Sequence, residues 1–297
     1  MKPVARTAAA SELPPTMANI FPEARAAIGD PETFPWHRHL GRIQAFKAHS
    51  SQALAIDVFG AIRTSPARDR VLGAIAAHCA LPPDGPWTLE LEWADENRLL
   101  RETTSTQVDA IAIGRNAIIV IECKFREGGG SCSQTRRLQS GPATGKSQCN
   151  GRYEPQVNPG NGREGRCALS TKGIRYWEII PEVFELDSAA TYTPCPFKDD
   201  SFQWMRNLVL AYELGRRDRK AAAVMVVYAA GGEFLTERKV RSSDWLPGLR
   251  AAAPRLISTS YQRIVEIAAA SDGDGRWQRL AAWVDAKVRD ARQAPAP

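Results

Sequence analysis

A chain of 297 residues, 43% of them hydrophobic, carries enough apolar material for one large globular domain or two small ones, which excludes wholesale disorder. Its 39 Lys and Arg against 33 Asp and Glu leave a net charge of +6, a tilt toward anionic partners too small to name one. No apolar run approaches the roughly 18 residues of a membrane-spanning helix, and the opening MKPVARTAAASELPP has no signal-like apolar stretch, so the chain reads as soluble, cytoplasmic and without a membrane partner.

Pro3, Pro14, Pro15, Pro22, Pro31 and Pro35 punctuate residues 1–35, and no long helix or strand can run between them. This stretch is expected to be a flexible arm, with a single domain from 36 to 297. Between Trp36 and Ile62 the apolar residues take mixed helical spacings around an SSQ that can cap a helix. A second helix is expected from Asp69 to Cys79, ahead of Pro82 and Pro83. Trp87, Leu89, Leu91 and Trp93 then alternate with Thr88, Glu90 and Glu92, the period-two pattern of a half-buried strand.

Gln107–Ile113 and Ala117–Phe125 read as two more strands joined in a hairpin by Gly114, Arg115 and Asn116. From 126 to about 171 the chain is rich in Gly, Ser, Gln, Asn and Arg and predicts no regular element. Apolar density returns at Ile174–Phe184, followed by a helix from Asp200 to Leu214 opened by an Asp-Ser cap, with Trp204, Met205 and Leu208 as its core stripe. Ala221–Ala229 is apolar on both faces, as a fully buried strand should be. Helices at Thr259–Ala270 and Gly275–Arg292 make 243–292 a helical C-terminal region, and there is no internal repeat. The order helix, three strands, helix, strand predicts an α/β fold: a mixed sheet flanked by helices, with an insert and added terminal helices.

Asp109, Glu122 and Lys124 are the only charges in the two apolar hairpin strands, and burying lone charges is expensive. A turn centred between Arg115 and Asn116 makes Asp109 and Glu122 cross-strand neighbours, where like charges destabilise unless a cation neutralises them. Lys124 projects from the same face as Glu122, and Cys123 from the other. Two carboxylates suit Mg²⁺ or Mn²⁺, and a lysine beside them suits attack of water on a phosphodiester. The bland alternative is a solvated Glu–Lys pair, and the triad alone serves equally for a small phosphorylated substrate.

Asp109 followed across a hairpin by Glu122, Cys123 and Lys124 resembles the PD-(D/E)XK nuclease superfamily, the fold of restriction endonucleases, Holliday-junction resolvases and repair nucleases. Val108 stands in place of the eponymous proline. SSQALAIDVFG at 50–60, VDAIAI at 108–113, IECKF at 121–125, the block from Cys149 through RYWE at 175–178, and FQWMRNLVLA at 202–211 resemble a bacterial group of inferred restriction endonucleases. The resemblance implies a restriction-endonuclease-like αβββαβ core and a metal-dependent endonuclease acting on DNA. Asp109 and Glu122 are then Mg²⁺ ligands and Lys124 the catalytic lysine, with Gln52 or Asp57 and Gln203 or Arg206 as auxiliary groups. Open alternatives are a non-catalytic nucleic-acid-binding protein on the same fold and a Mg²⁺-dependent hydrolase of small phosphorylated compounds. RNA is not excluded as substrate, and a homodimer is compatible.

Residues 115–176 hold eleven Lys and Arg against four acids, a net of +7 that leaves −1 for the rest of the chain. A phosphate backbone suits such a segment, although a solvated loop accounts for it too. Cys132, Cys149, Cys167 and Cys195 fall in or just beyond it. Four thiolates suit Zn²⁺ or an iron–sulfur cluster that would staple the insert, but no CxxC pair is present and unconnected thiols remain the alternative. Cys79 and Cys123 read as core residues, and His37 and His39 as surface residues. GPATGKS at 141–147 lacks the spacing of a phosphate-binding loop.

Overall fold

The computed structural model describes residues 15–137, 144–145, 149, 152–153, 167–186, 193–242 and 245–294. The first long helix, α1, runs through Ser51–Ala55, a π-helical segment Ile56–Gly60 and Ala61–Arg63. Its start is capped as expected, the Ser50 hydroxyl accepting from the Ala53 amide at 3.2 Å. Helix α2 (Arg68–His78) leads into strands β1 (Thr88–Ala94), β2 (Gln107–Ile113) and β3 (Ala117–Lys124). Then follow helices α3 (Tyr176–Val183) and α4 (Phe202–Asp218), strand β4 (Ala221–Tyr228), a short helix α5 (Leu235–Val240), strand β5 (Arg255–Ser260), and helices α6 (Tyr261–Ser271) and α7 (Arg276–Gln293).

The five strands form one sheet in chain order, β1 to β5. β1–β2 and β2–β3 are antiparallel; β3–β4 and β4–β5 are parallel. The expected hairpin register is present from Ala110 opposite Ile121 to Ile113 opposite Ile118. The Gly114 amide donates to the Ala117 carbonyl at 2.9 Å, closing a two-residue turn at Arg115 and Asn116. β3 is buried along all eight residues because both faces are covered. On one face Ile119, Ile121 and Cys123 pack with α1, α2, α6 and α7; on the other Ile118 and Val120 pack with α3 and α4. Trp204, Met205 and Leu208 are core residues of that second layer, and Cys79 of the first.

Three expectations are corrected. Residues 17–28 are not a loose arm: Met17, Ile20, Phe21, Ala24, Ala27 and Ile28 are buried in the first core, and the prolines only break this segment into short helices, Pro15–Ala18 and Pro22–Ile28; residues 1–14 lie outside the described residues. The 243–292 region is not all helical, since Arg255–Ser260 adds the fifth strand in parallel to β4. Ser201 does not cap α4 with its side chain; its hydroxyl donates instead to the Trp245 carbonyl at 3.0 Å. The first α4 amides are satisfied by the glycine loop, Phe202 N donating to Gly130 O (3.1 Å) and Gln203 N to Gly129 O (2.9 Å). Gly129 is needed there, because a Cβ would lie 2.2 Å from the Asp200 carbonyl. Among the described residues no helix is long and apolar enough to cross a membrane.

Candidate active site

The carboxylates gather where the sheet alternation breaks. β1 and β2 pair Leu91 with Ala110 and Trp93 with Val108, which leaves Glu92 opposite Asp109. Leu91 and Ala110 belong to the first core, whereas Trp93 and Val108 pack in the second. Glu92 adopts a left-handed backbone (φ 50°), and the strand changes face there. With Glu122 next along the β2–β3 register, three acids stand in a row on three adjacent strands. Asp109 Oδ2 accepts from the Cys123 amide at 2.6 Å, which ties it to β3.

Glu122 is enclosed. Lys124 Nζ donates to its Oε1 at 2.6 Å and Asn207 Nδ2, from α4, to its Oε2 at 2.6 Å. Burial opposes ionisation of Glu122, but Lys124, Arg206 and Asn207 outweigh it and hold the carboxyl below the usual range. Lys124 has the same conflict; despite burial, Glu122 and Asp109 hold its ammonium above the ordinary lysine value. Asp109 goes the other way, pushed well up by burial and by Glu122 and Glu92.

Glu92 is buried, and its Oε1 has no hydrogen-bond partner among the described residues. Its Oε2 lies 3.2 Å from His37 Nε2, and that bond raises the His37 pKa against the effect of burial. Ligand atoms of His37, Glu92 and Asp109 all lie within 4.8 Å of one another, the one such set among the described residues. Two hard carboxylates, one with an orphaned buried oxygen, and an imidazole fit a divalent cation.

A cavity of about 330 Å³ opens on this row, lined by His37, Glu92, Asp109 and Glu122 and, across from them, Glu102, Gln203 and Arg206. Lys124 sits behind Glu122. Gln203 and Arg206 both line this cavity. Gln52 does not: it is buried, accepts from His37 N (2.9 Å) and donates to Pro35 O (3.1 Å), holding the segment that carries His37. Asp57 is also remote. Wholly buried, it accepts from Phe21 N (2.6 Å), Trp283 Nε1 (2.9 Å) and Lys287 Nζ (2.6 Å), fastening α7 to α1. Burial pushes its carboxyl up, with Lys287 working against that.

No three thiols of Cys132, Cys149, Cys167 and Cys195 lie within 4.8 Å of one another, although Cys132 and Cys195 each feel the neighbouring thiols. All are free thiols, Cys132 buried and the others half-buried, and burial pushes Cys195 up to about 12. Hydrogen bonds knit the surrounding loops: Cys132 N to Lys198 O (2.9 Å), Cys149 N to Gln134 O (3.0 Å) and Lys172 Nζ to Gln134 Oε1 (2.6 Å). Most of the basic insert, including Lys146, Arg163 and Arg166, lies outside the described residues.

Sequence reasoning missed Glu92, His37, Asn207 and Glu102. Asn207 left one signal, a lone polar residue on the stripe of Trp204, Leu208 and Ala211. Glu92 looked like the solvent-facing partner of Glu90.

A helix, three strands, a helix and a further strand, with acids and a lysine at one end of the sheet, define a restriction-endonuclease-like α/β fold. The chain belongs to the REase-ARP family, restriction endonuclease associating with ARP, whose family model matches residues 9–284. That membership indicates a nuclease. No curated protein and no solved structure matches the chain.

Proposed function

We propose that this protein is a divalent-metal-dependent endonuclease that hydrolyses DNA phosphodiester bonds in the acid-lined cavity. The observation that carries this reading is the row Glu92, Asp109, Glu122 on adjacent strands, with a buried Glu92 oxygen left without a partner among the described residues. Like charges at facing positions repel unless a cation compensates them.

Asp109, Glu92 and His37 supply the donors. Glu122, a ligand by the resemblance, has both oxygens engaged by Lys124 and Asn207 and would have to release one to bind metal directly. Carboxylates suit Mg²⁺ and Mn²⁺ alike, and the imidazole shifts the set toward Mn²⁺. A bound cation supplies Lewis acidity at a phosphoryl oxygen and acidifies a bound water.

The chain's own groups do the positioning. Gln52 holds the His37 segment and His37 holds Glu92. Lys124 and Asn207 fix the Glu122 carboxylate. In this reading Arg206, which lines the cavity, takes a non-bridging phosphate oxygen, and Gln203 orients the attacking water or the phosphate.

Incubation of purified protein with supercoiled plasmid and Mg²⁺ or Mn²⁺ tests this. Nicking is expected, abolished by chelation and reduced at least 100-fold, an order-of-magnitude expectation, in Asp109→Ala and Lys124→Ala. Unchanged cutting in both variants, or cleavage confined to RNA, overturns it.

A further inference from the structure

A second cavity, of about 640 Å³, lies at the opposite end of the sheet. It is bounded by the end of α4 (Tyr212, Gly215, Arg216), the turn Arg219–Lys220, the starts of β4 and β5, and the loop after α2. Ala117 pairs with Ala221 and Glu122 with Val226, so five residues of strand, about 16 Å, separate this end from the acid row.

Four cations line it, Arg216, Arg219, Lys220 and Arg255, and no carboxylate does. Part of that charge has a structural use. Arg216 pairs with Glu213 at 3.0 Å, and the C-terminal dipole of α4 offsets about half a charge. Arg217 and Asp218 pair with each other at 2.6 Å. Three cations remain against that half charge. Lys220 Nζ donates at 2.8 Å to the neutral Gly114 carbonyl and forms no ion pair among the described residues, its charge acting only at longer range on Asp218. The backbones of Arg219 and Arg255 are hydrogen-bonded, but neither guanidinium makes a side-chain hydrogen bond or ion pair among the described residues. Arg219 also takes the left-handed helix-end conformation (φ 54°) that glycine fills at least cost.

The walls add shape to the charge. Ala80, Ala221, Ala222, Ala252 and Ala253 are small enough to leave the space open, and the half-buried Tyr212 borders it. Gly215 lets the end of α4 sit close on β4, since a Cβ there would lie 2.9 Å from the Lys220 carbonyl.

We propose that this groove binds closely spaced phosphate groups, those of a nucleoside polyphosphate or of a nucleic-acid backbone. A cationic rim over an apolar floor suits a ligand whose phosphates meet arginines while its uncharged part lies on methyl groups. The site is separate from the acid-lined cavity and does not depend on cleavage there.

Calorimetric titration of the full chain at low salt tests it, with tripolyphosphate and a 12-nucleotide single strand as probes, on the wild type, Arg219→Gly and Arg255→Ala. Tripolyphosphate binding should weaken at least tenfold in each variant. Arg219→Gly should not lower Tm, because glycine accepts the backbone conformation, so weakened binding there cannot be ascribed to misfolding. Parallel weakening of the single strand assigns the site to a nucleic-acid backbone; an unchanged single strand assigns it to free polyphosphate. No tripolyphosphate binding by the wild type, or wild-type affinity retained in both variants, overturns the proposal. Binding rather than cutting is read, so failure of the nuclease reading leaves this result standing.

Discussion

Glu92 faces Asp109 across β1 and β2, on a left-handed backbone (φ 50°) and with one carboxylate oxygen buried and without a partner among the described residues. The fold therefore holds two acids together at a cost, with Glu122 adding a third on the other side. Removing charge from the row should relieve that cost. In metal-free protein, Glu92→Gln and Asp109→Asn should each raise stability by about 0.5–1 kcal/mol in urea denaturation, while both lose cleavage. A loss of stability in both would mean that the row carries no stored repulsion.

A cation should stabilise the folded chain in proportion to its affinity. Addition of Mn²⁺ should raise the wild-type Tm, and chelation should reverse the rise. Glu92→Gln should abolish it, and His37→Ala should weaken Mn²⁺ affinity about 10- to 100-fold. A Tm rise of the same size in all three proteins would place the cation elsewhere.

Glu102 lines the same cavity and accepts from Tyr176 and Thr106. Burial raises its carboxyl above the ordinary glutamate value, with Tyr176 and Arg206 pulling the other way. An acid whose folded pKa is raised contributes stability that is complete below its unfolded pKa and is lost as pH rises through the folded one. Glu102→Gln removes that dependence. The variant should gain on the wild type in Tm as pH goes from 4 to 8, and a gap that narrows instead would contradict the sign.

Asp57 and Lys287 form a buried pair, and removing one partner strands the other. Lys287→Met should cost about 3–5 kcal/mol in urea denaturation. Adding Asp57→Asn should recover part of it, because the stranded charge is then gone. A double variant as unstable as the sum of the singles would show that the two residues do not act as a pair.

The hairpin was legible in the sequence because its information is local. Alternation, a two-residue turn and three lone charges place Asp109, Glu122 and Lys124 with no knowledge of other elements. Glu92 was not legible, since a left-handed residue inside an alternating strand leaves the pattern of letters unchanged. His37 lies in a segment whose position depends on Gln52, fifteen residues later. Gln52 and Asp57, chosen as auxiliary site residues, are polar groups on a helix, and only the tertiary packing tells which cavity, strap or ion pair each serves. Arg255–Ser260 escaped because its residues are mostly half-exposed and its pairing with β4 is non-local.

The Asp57–Lys287 bond spans 230 residues. At roughly 5–20 residues per second, its cation leaves the ribosome about ten seconds or more after its anion. Until then, completing the first layer would bury Asp57 without its counter-charge. The layer that backs the acid row closes only once α7 has been made, so a nascent chain stopped short of α7 carries every proposed catalytic residue and still lacks a closed fold to hold them.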